Sequence, residues 1–138
     1  MAYLLDSGFV YAQLNGKDEW HQKVSKATEI AEREPIILPV PAITEIAYLL
    51  GRDLGVDAAA YFIETLNATN IVLENPTSED YTRSAEILRK YNDANIDFVD
   101  VCIVAMAERL NITKILAVDR RHFSLFKPKH CKSFEILP

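Results

Sequence analysis

The chain has 138 residues, 49% of them hydrophobic, and a net charge of −5, which fits a single domain over residues 1–138 built around one core. No segment is rich in Pro, Gly or Ser and the charged fraction is an ordinary 25%, so a disordered tail or linker is not expected. No apolar run approaches the roughly 20 residues of a membrane-spanning helix. Met1 to Asp6 lacks the basic start and long apolar stretch of a secretion signal, and Cys102 and Cys131 are too few for a disulfide framework. A cytoplasmic protein with no membrane partner is therefore expected.

In chain order, Ala2 to Leu5 is a short apolar run that reads as a buried strand. Asp6-Ser7 then reads as a strand-end turn or a helix cap. Trp20, Val24, Ala27 and Ala31 recur at helical spacing until Pro35 stops them. Ile36 to Val40 is a second strand, and Pro41 suits the first turn of a helix with Ile43, Ile46, Ala47 and Leu50 on one face. Ala58, Tyr61, Phe62, Thr65 and Leu66 make another stripe, followed by a weaker strand at Ile71 to Leu73. Thr77 or Ser78 caps a helix carrying Tyr81, Ala85, Leu88 and Tyr91. Val99, Cys102, Ile103, Met106, Ala107 and Leu110 mark a strongly apolar helix, which leads into a strand at Ile115 to Val118; Phe134 to Leu137 is a final, weaker strand. About five strands, apolar throughout rather than alternating, are interleaved with helices. That order predicts an α/β fold, a mostly parallel sheet with helices on both faces.

In such a sheet the strand carboxyl ends form the edge where ligands bind. Asp6 and Asp119 each follow a strand run. Glu45 lies in the first turns of the helix after the second strand, and Asp97 and Asp100 open the helix leading to the Ile115 strand. Right-handed crossovers bring all five to one rim. Each also has a structural reading: Asp97 as a helix cap, Asp100 near the helix dipole, Asp6 as a turn or cap, Asp119 as a loop charge beside Arg120 and Arg121. Glu45 is the hardest to explain so, because it interrupts the apolar Ala42 to Leu50 segment. Two carboxylates about 4 Å apart repel by roughly 4 kcal/mol at an effective dielectric near 20, a large fraction of a domain's stability of about 5–15 kcal/mol. Such a cluster protonates, spreads or holds a cation. An all-oxygen set suits Mg²⁺ or Mn²⁺ better than zinc, and such an ion can acidify water and offset charge on a scissile phosphate.

Charge is uneven along the chain. Residues 1–113 hold 9 Lys/Arg against 18 Asp/Glu, whereas residues 114–138 hold 6 against 2. Lys114, Arg120, Arg121, Lys127, Lys129 and Lys132 thus form either a basic surface able to meet phosphates or a solvated face.

Four segments, Leu4-Leu-Asp-Ser-Gly-Phe9, Ile43-Thr-Glu-Ile-Ala47, Phe98-Val-Asp-Val-Cys-Ile-Val-Ala105 and Ile115-Leu-Ala-Val-Asp-Arg-Arg-His-Phe123, resemble in order and spacing the acidic motifs of PIN domains, especially VapC-type toxins. The likeness spans nearly the whole chain. It implies a three-layer α/β/α sandwich and Mg²⁺- or Mn²⁺-dependent endoribonuclease activity. By position, Asp6, Glu45, Asp100 and Asp119 match the family's four acids, Asp97 an additional metal-site acid of some members, and Ser7 a small hydroxyl after the first aspartate. The chain departs at Ala117, where Thr or Ser is common, and at His122, where an acid is common; this leaves Arg120, Arg121 and His122 as a phosphate-contacting trio. The resemblance also implies a homodimer and a cognate antitoxin, with the helices carrying Trp20 and Tyr61-Phe62 as contact surfaces or, alternatively, core.

A rival reading is a catalytically inactive PIN-like module that binds RNA or protein, to which Ala117 and the acidic body lend support. A phosphoryl-transferring domain using Asp6 as acceptor is weaker, since Asp6-Ser7-Gly8 lacks a second nearby carboxylate. No Gly-rich nucleotide loop is present, and His21, His122 and His130 make no zinc pattern.

Overall fold

The computed structural model describes residues 1–138. Its elements are β1 (Tyr3–Leu5), α1 (Ser7–Leu14), α2 (His21–Ala31), β2 (Ile36–Pro39), α3 (Val40–Leu54), α4 (Val56–Ala68), β3 (Val72–Glu74), α5 (Ser78–Lys90), α6 (Phe98–Leu110), β4 (Lys114–Leu116), α7 (Arg120–Leu125) and β5 (Glu135–Leu137). The five strands pair in the order β3-β2-β1-β4-β5, and every pairing is parallel. Tyr3 aligns with Ile36 on one side and Lys114 on the other, which makes β1 the central strand.

Strand order reverses between β1 and β4. Right-handed crossovers place the helices of β1→β2→β3 on one face, and those of the reversed step β3→β4 on the other. The predicted α/β architecture, a parallel sheet between helical layers, is the one observed. The point of reversal is where the carboxyl ends of neighbouring strands leave a crevice, because the chains depart from them to opposite faces. The backbone N–H of Asp6 donates to the Leu116 carbonyl at 2.9 Å, so pairing between β1 and β4 runs up to that crevice.

Packing explains the local choices. β2 stops at Pro39 rather than Val40 because Pro41 sits in the first turn of α3, where its fixed φ and missing N–H cost nothing. α6 is buried from Val99 through Ala107, an inner helix without a polar face, and α5 packs against it. Two helices do not show in the apolar pattern, although a helix cap is one of the two readings of Asp6-Ser7. α1 follows β1 directly, and its apolar residues surround the helix instead of forming one stripe; α7 is too short to show a period.

The expected face of α5 is also corrected. Asp80, Ser84 and Ile87 are buried, while Tyr81 and Leu88 are exposed. Burial of the polar pair is possible because Asp80 receives the Arg109 guanidinium at 2.9 Å and Ser84 lies 3.8 Å from the Cys102 sulfur. Tyr81 instead stacks on Phe98 at 6.3 Å. On α4, Phe62 is core and Tyr61 is exposed.

Candidate active site at the strand carboxyl ends

Asp6 leaves β1 and stands at the N-cap position of α1 without making a side-chain cap bond. Its side chain is nonetheless buried, at 7% exposure. Gly8 keeps α1 close to the β4–α7 turn, since a Cβ there would lie 3.1 Å from Val118 Cγ2. That approach sets Asp6 beside the segment bearing Asp119. Glu45, on the second turn of α3, accepts a 2.5 Å hydrogen bond from the buried Ser7 hydroxyl, so α1 holds the carboxylate that interrupts the apolar face of α3.

At the start of α6, Asp97 Oδ1 accepts from the Asp100 N–H at 3.0 Å and Asp100 Oδ2 accepts from the Asp97 N–H at 3.1 Å. This reciprocal box ties up two of the helix's free donors. Asp100 Oδ2 also lies 3.3 Å from His122 Nδ1, which in turn is 3.7 Å from Asp119 Oδ2. Asp119 caps α7 through the Arg121 N–H at 3.1 Å.

These contacts leave a deficit of positive charge. The Asp6 carboxyl is pushed up to about 8, first by burial and next by the Asp100 charge. The Ser7 N–H pulls it down, and Glu45 and Asp97 raise it further. Asp100 is raised to about 6, by burial first and then by Asp97, against the pull of the Asp97 N–H and His122. Asp6 thus holds a proton at neutral pH in the absence of a cation.

As donors, the carboxylates of Asp6, Asp97, Asp100 and Asp119 fit a hard divalent ion. Their positions are not those of a finished chelate: no three His, Cys, Asp or Glu side chains lie within joint reach of one ion. An ion displacing the Asp6 proton would offset the mutual repulsion of these acids.

The basic trio divides. Arg120 turns away from the acids, its Nη1 donating to the Ile136 carbonyl at 3.0 Å and to the Pro138 carbonyl. Arg121 keeps its side chain 89% exposed, with Nε 3.6 Å from Asp119. His122 alone inserts between two acids. Lys129 belongs to another cleft, shared with Arg83, Glu108 and His130. Ala117 is fully buried in the core, so its position packs the sheet instead of lining the rim. Sequence reasoning gave no sign of the Ser7–Glu45 bond, which joins segments 38 residues apart. No helix is long and apolar enough to cross a membrane.

Residues 3–127 match the family model described as the PIN domain. Over 135 residues the chain is 27% identical to Ribonuclease VapC26 of Mycobacterium tuberculosis, spanning 98% of this chain and 99% of that protein. Among solved structures it is similar to VapC20 of Mycobacterium tuberculosis, described as a sarcin-ricin loop cleaving toxin, with a TM-score of 0.76 at 19% identity over 82% of this chain and 86% of that one. It is also similar to VapBC2 from Rickettsia felis bound to a promoter DNA fragment, with a TM-score of 0.71 at 11% identity and 100% of both chains covered. At these identities the structural likeness speaks to the fold.

Proposed function

The chain belongs to the PIN-domain family, and from that membership we propose that it is a metal-dependent endoribonuclease, the toxin of a type II toxin–antitoxin pair. The observation that carries this reading is the buried Asp6 beside Asp100 at the sheet's switch point, with Asp6 raised to about 8 by burial and neighbouring acids. A core that serves only stability gains nothing from such a pair. The full-length likeness to a protein named a ribonuclease supports the substrate class.

Asp6, Asp97, Asp100 and Asp119 would hold Mg²⁺ or Mn²⁺, which when bound supplies charge neutralisation at the scissile phosphate and acidifies water. The chain's own groups do the rest. Glu45, fixed by the Ser7 hydroxyl, orients the attacking water and takes up its proton. His122, braced between Asp100 and Asp119, and the exposed Arg121 offer donors to phosphate oxygens. In-line attack by water leaves a 5′-phosphate and a 3′-hydroxyl. We further propose a homodimer, as the family resemblance implies, and a cognate antitoxin, as the VapBC2 name of the Rickettsia felis structure suggests.

The test is cleavage of a pool of single-stranded and hairpin RNAs by the purified protein with Mg²⁺, Mn²⁺ or EDTA, beside Asp100→Asn. Ion-dependent cutting that is absent from the variant is expected. Folded protein that neither cuts nor binds an ion would overturn the reading in favour of a binding module.

A further inference from the structure

Beside Asp119 lies a cleft of about 390 Å³, lined by Trp20, Val118, Asp119, Arg120 and Arg121; the chemistry above uses Asp119 and Arg121 but gives no part to Trp20. Trp20 precedes α2 and is only partly buried against the core. Over its ring lies the ammonium of the exposed Lys23, 4.9 Å from the centroid, a weak contact that a ligand could displace or share. Arg120 is fixed as a wall by its bonds to the Ile136 and Pro138 carbonyls. Arg121, by contrast, has its side chain 89% exposed and touches the acids only through a 3.6 Å contact from Nε to Asp119. An aromatic face, an apolar rim and flanking cations, next to an acid of the proposed site, match one ligand chemistry: an unpaired nucleotide, with its base on the indole and its phosphate against Arg121 and Lys23.

Resting on the ribonuclease reading, we propose that this cleft is a subsite for the unpaired nucleotide next to the cleaved bond. A base inside a duplex has both faces covered by its neighbours and cannot stack on Trp20, so the subsite selects single-stranded or looped RNA. Asp119, as a ligand of the proposed ion, marks the part of the cleft nearest the cleaved bond, and the exposed Arg121 is the group left to receive the flanking phosphate.

Trp20 is the sole tryptophan, so its emission reports the subsite directly. Full-length Asp6→Asn protein is titrated with a short single-stranded RNA of mixed sequence and with the same RNA annealed to its complement. Saturable quenching by the single strand, and a response several-fold weaker from the duplex, are expected. In the active protein, Trp20→Leu, which keeps apolar bulk without an aromatic face, should raise KM roughly tenfold with kcat nearly unchanged, and Trp20→Phe should restore most of it. Arg121→Ala, at an exposed position where folding is not at stake, should raise KM and reduce the salt slope of binding by about one. Single-stranded RNA that binds by anisotropy without altering Trp20 emission would overturn the subsite, as would folded Trp20→Leu protein cleaving with unchanged KM. If the wild-type protein cuts no RNA at all, the ribonuclease reading itself fails and the subsite falls with it.

Discussion

Two helices of this protein open in the same way and come to different ends. α5 begins with Thr77 and Asp80, α6 with Asp97 and Asp100, and each pair forms a reciprocal capping box. In both, the second residue is a nearly buried aspartate, 3% exposed at Asp80 and 8% at Asp100. Asp80 faces Arg109, which also reaches Glu74 at 3.5 Å. Nearby, burial pushes the Glu108 carboxyl up, but Arg83 at 2.7 Å and the Lys129 N–H more than offset it, and the group is held below its ordinary value. Asp100 meets Asp97, Asp6 and a partly exposed imidazole instead. An identical backbone solution thus serves once as a strut and once as a charged site. The difference lies in what other elements bring: the Arg109 guanidinium of α6 to Asp80 on α5, and the Asp6 carboxyl at the end of β1 to Asp100 on α6.

The sharpest way to break that comparison is to neutralise one aspartate of each kind. Asp6→Asn or Asp100→Asn should lower ion-dependent cleavage by more than about a hundredfold, beyond the range for mere supporting partners. Because burial and neighbouring acids make the ionised form of each carboxyl unfavourable, the melting temperature of the ion-free protein should hold or rise. Asp80→Asn should do the reverse, leaving cleavage per folded molecule intact and lowering unfolding stability by about 2 kcal/mol, since it abandons Arg109. A large stability loss in Asp6→Asn would show that this carboxylate is a strut after all.

Ser7→Ala comes next. Freeing Glu45 should cost roughly tenfold in kcat with little change in stability, as for a group that only orients another. Steady-state kinetics beside thermal melts separate these outcomes.

The pH dependence of stability follows from Asp6. Its folded value, about 8, lies above the ordinary carboxylate range, so the folded state binds the proton more tightly than the unfolded chain. The stability this contributes is fully present near pH 4 and is lost as pH rises towards 8. Ion-free wild-type protein should therefore lose stability over that window, and Asp6→Asn should flatten the slope. Mg²⁺, which competes with the proton, should raise the melting temperature more at pH 8 than at pH 6. Equal shifts at both pH values would remove Asp6 from the ion site.

The smallest expected effect separates the two caps. Thr77→Ala should cost about 1 kcal/mol. Asp97→Ser keeps a capping oxygen while removing one negative charge beside Asp100, and should be neutral or stabilising by a few tenths of a kcal/mol. Chemical denaturation of the ion-free protein distinguishes the two.

Most of the architecture was legible along the chain. β1, β2 and β4 are short, apolar and bounded by breakers or charge, and α3 and α6 carry enough apolar residues to declare themselves. α1 was hidden because burial on several faces erases the helical period, and the buried face of α5 because Asp80 and Ser84 read as polar until Arg109 and Cys102 are set against them. Among the acids, position in the strand–helix order was enough to gather Asp6, Glu45, Asp97, Asp100 and Asp119 as candidates for one rim.

The sequence by itself determined the order of the strands and the longer helices, the parallel sheet and the presence of acids at its carboxyl edge, because apolar periodicity and chain direction are local properties. Only the tertiary structure decided which carboxylates are neutralised, that Arg120 clamps β5 while Arg121 stays exposed, that Ser7 holds Glu45, and that Trp20 stands beside Asp119. Charge compensation depends on distances between residues far apart in the chain, and those distances come into being only when the layers pack.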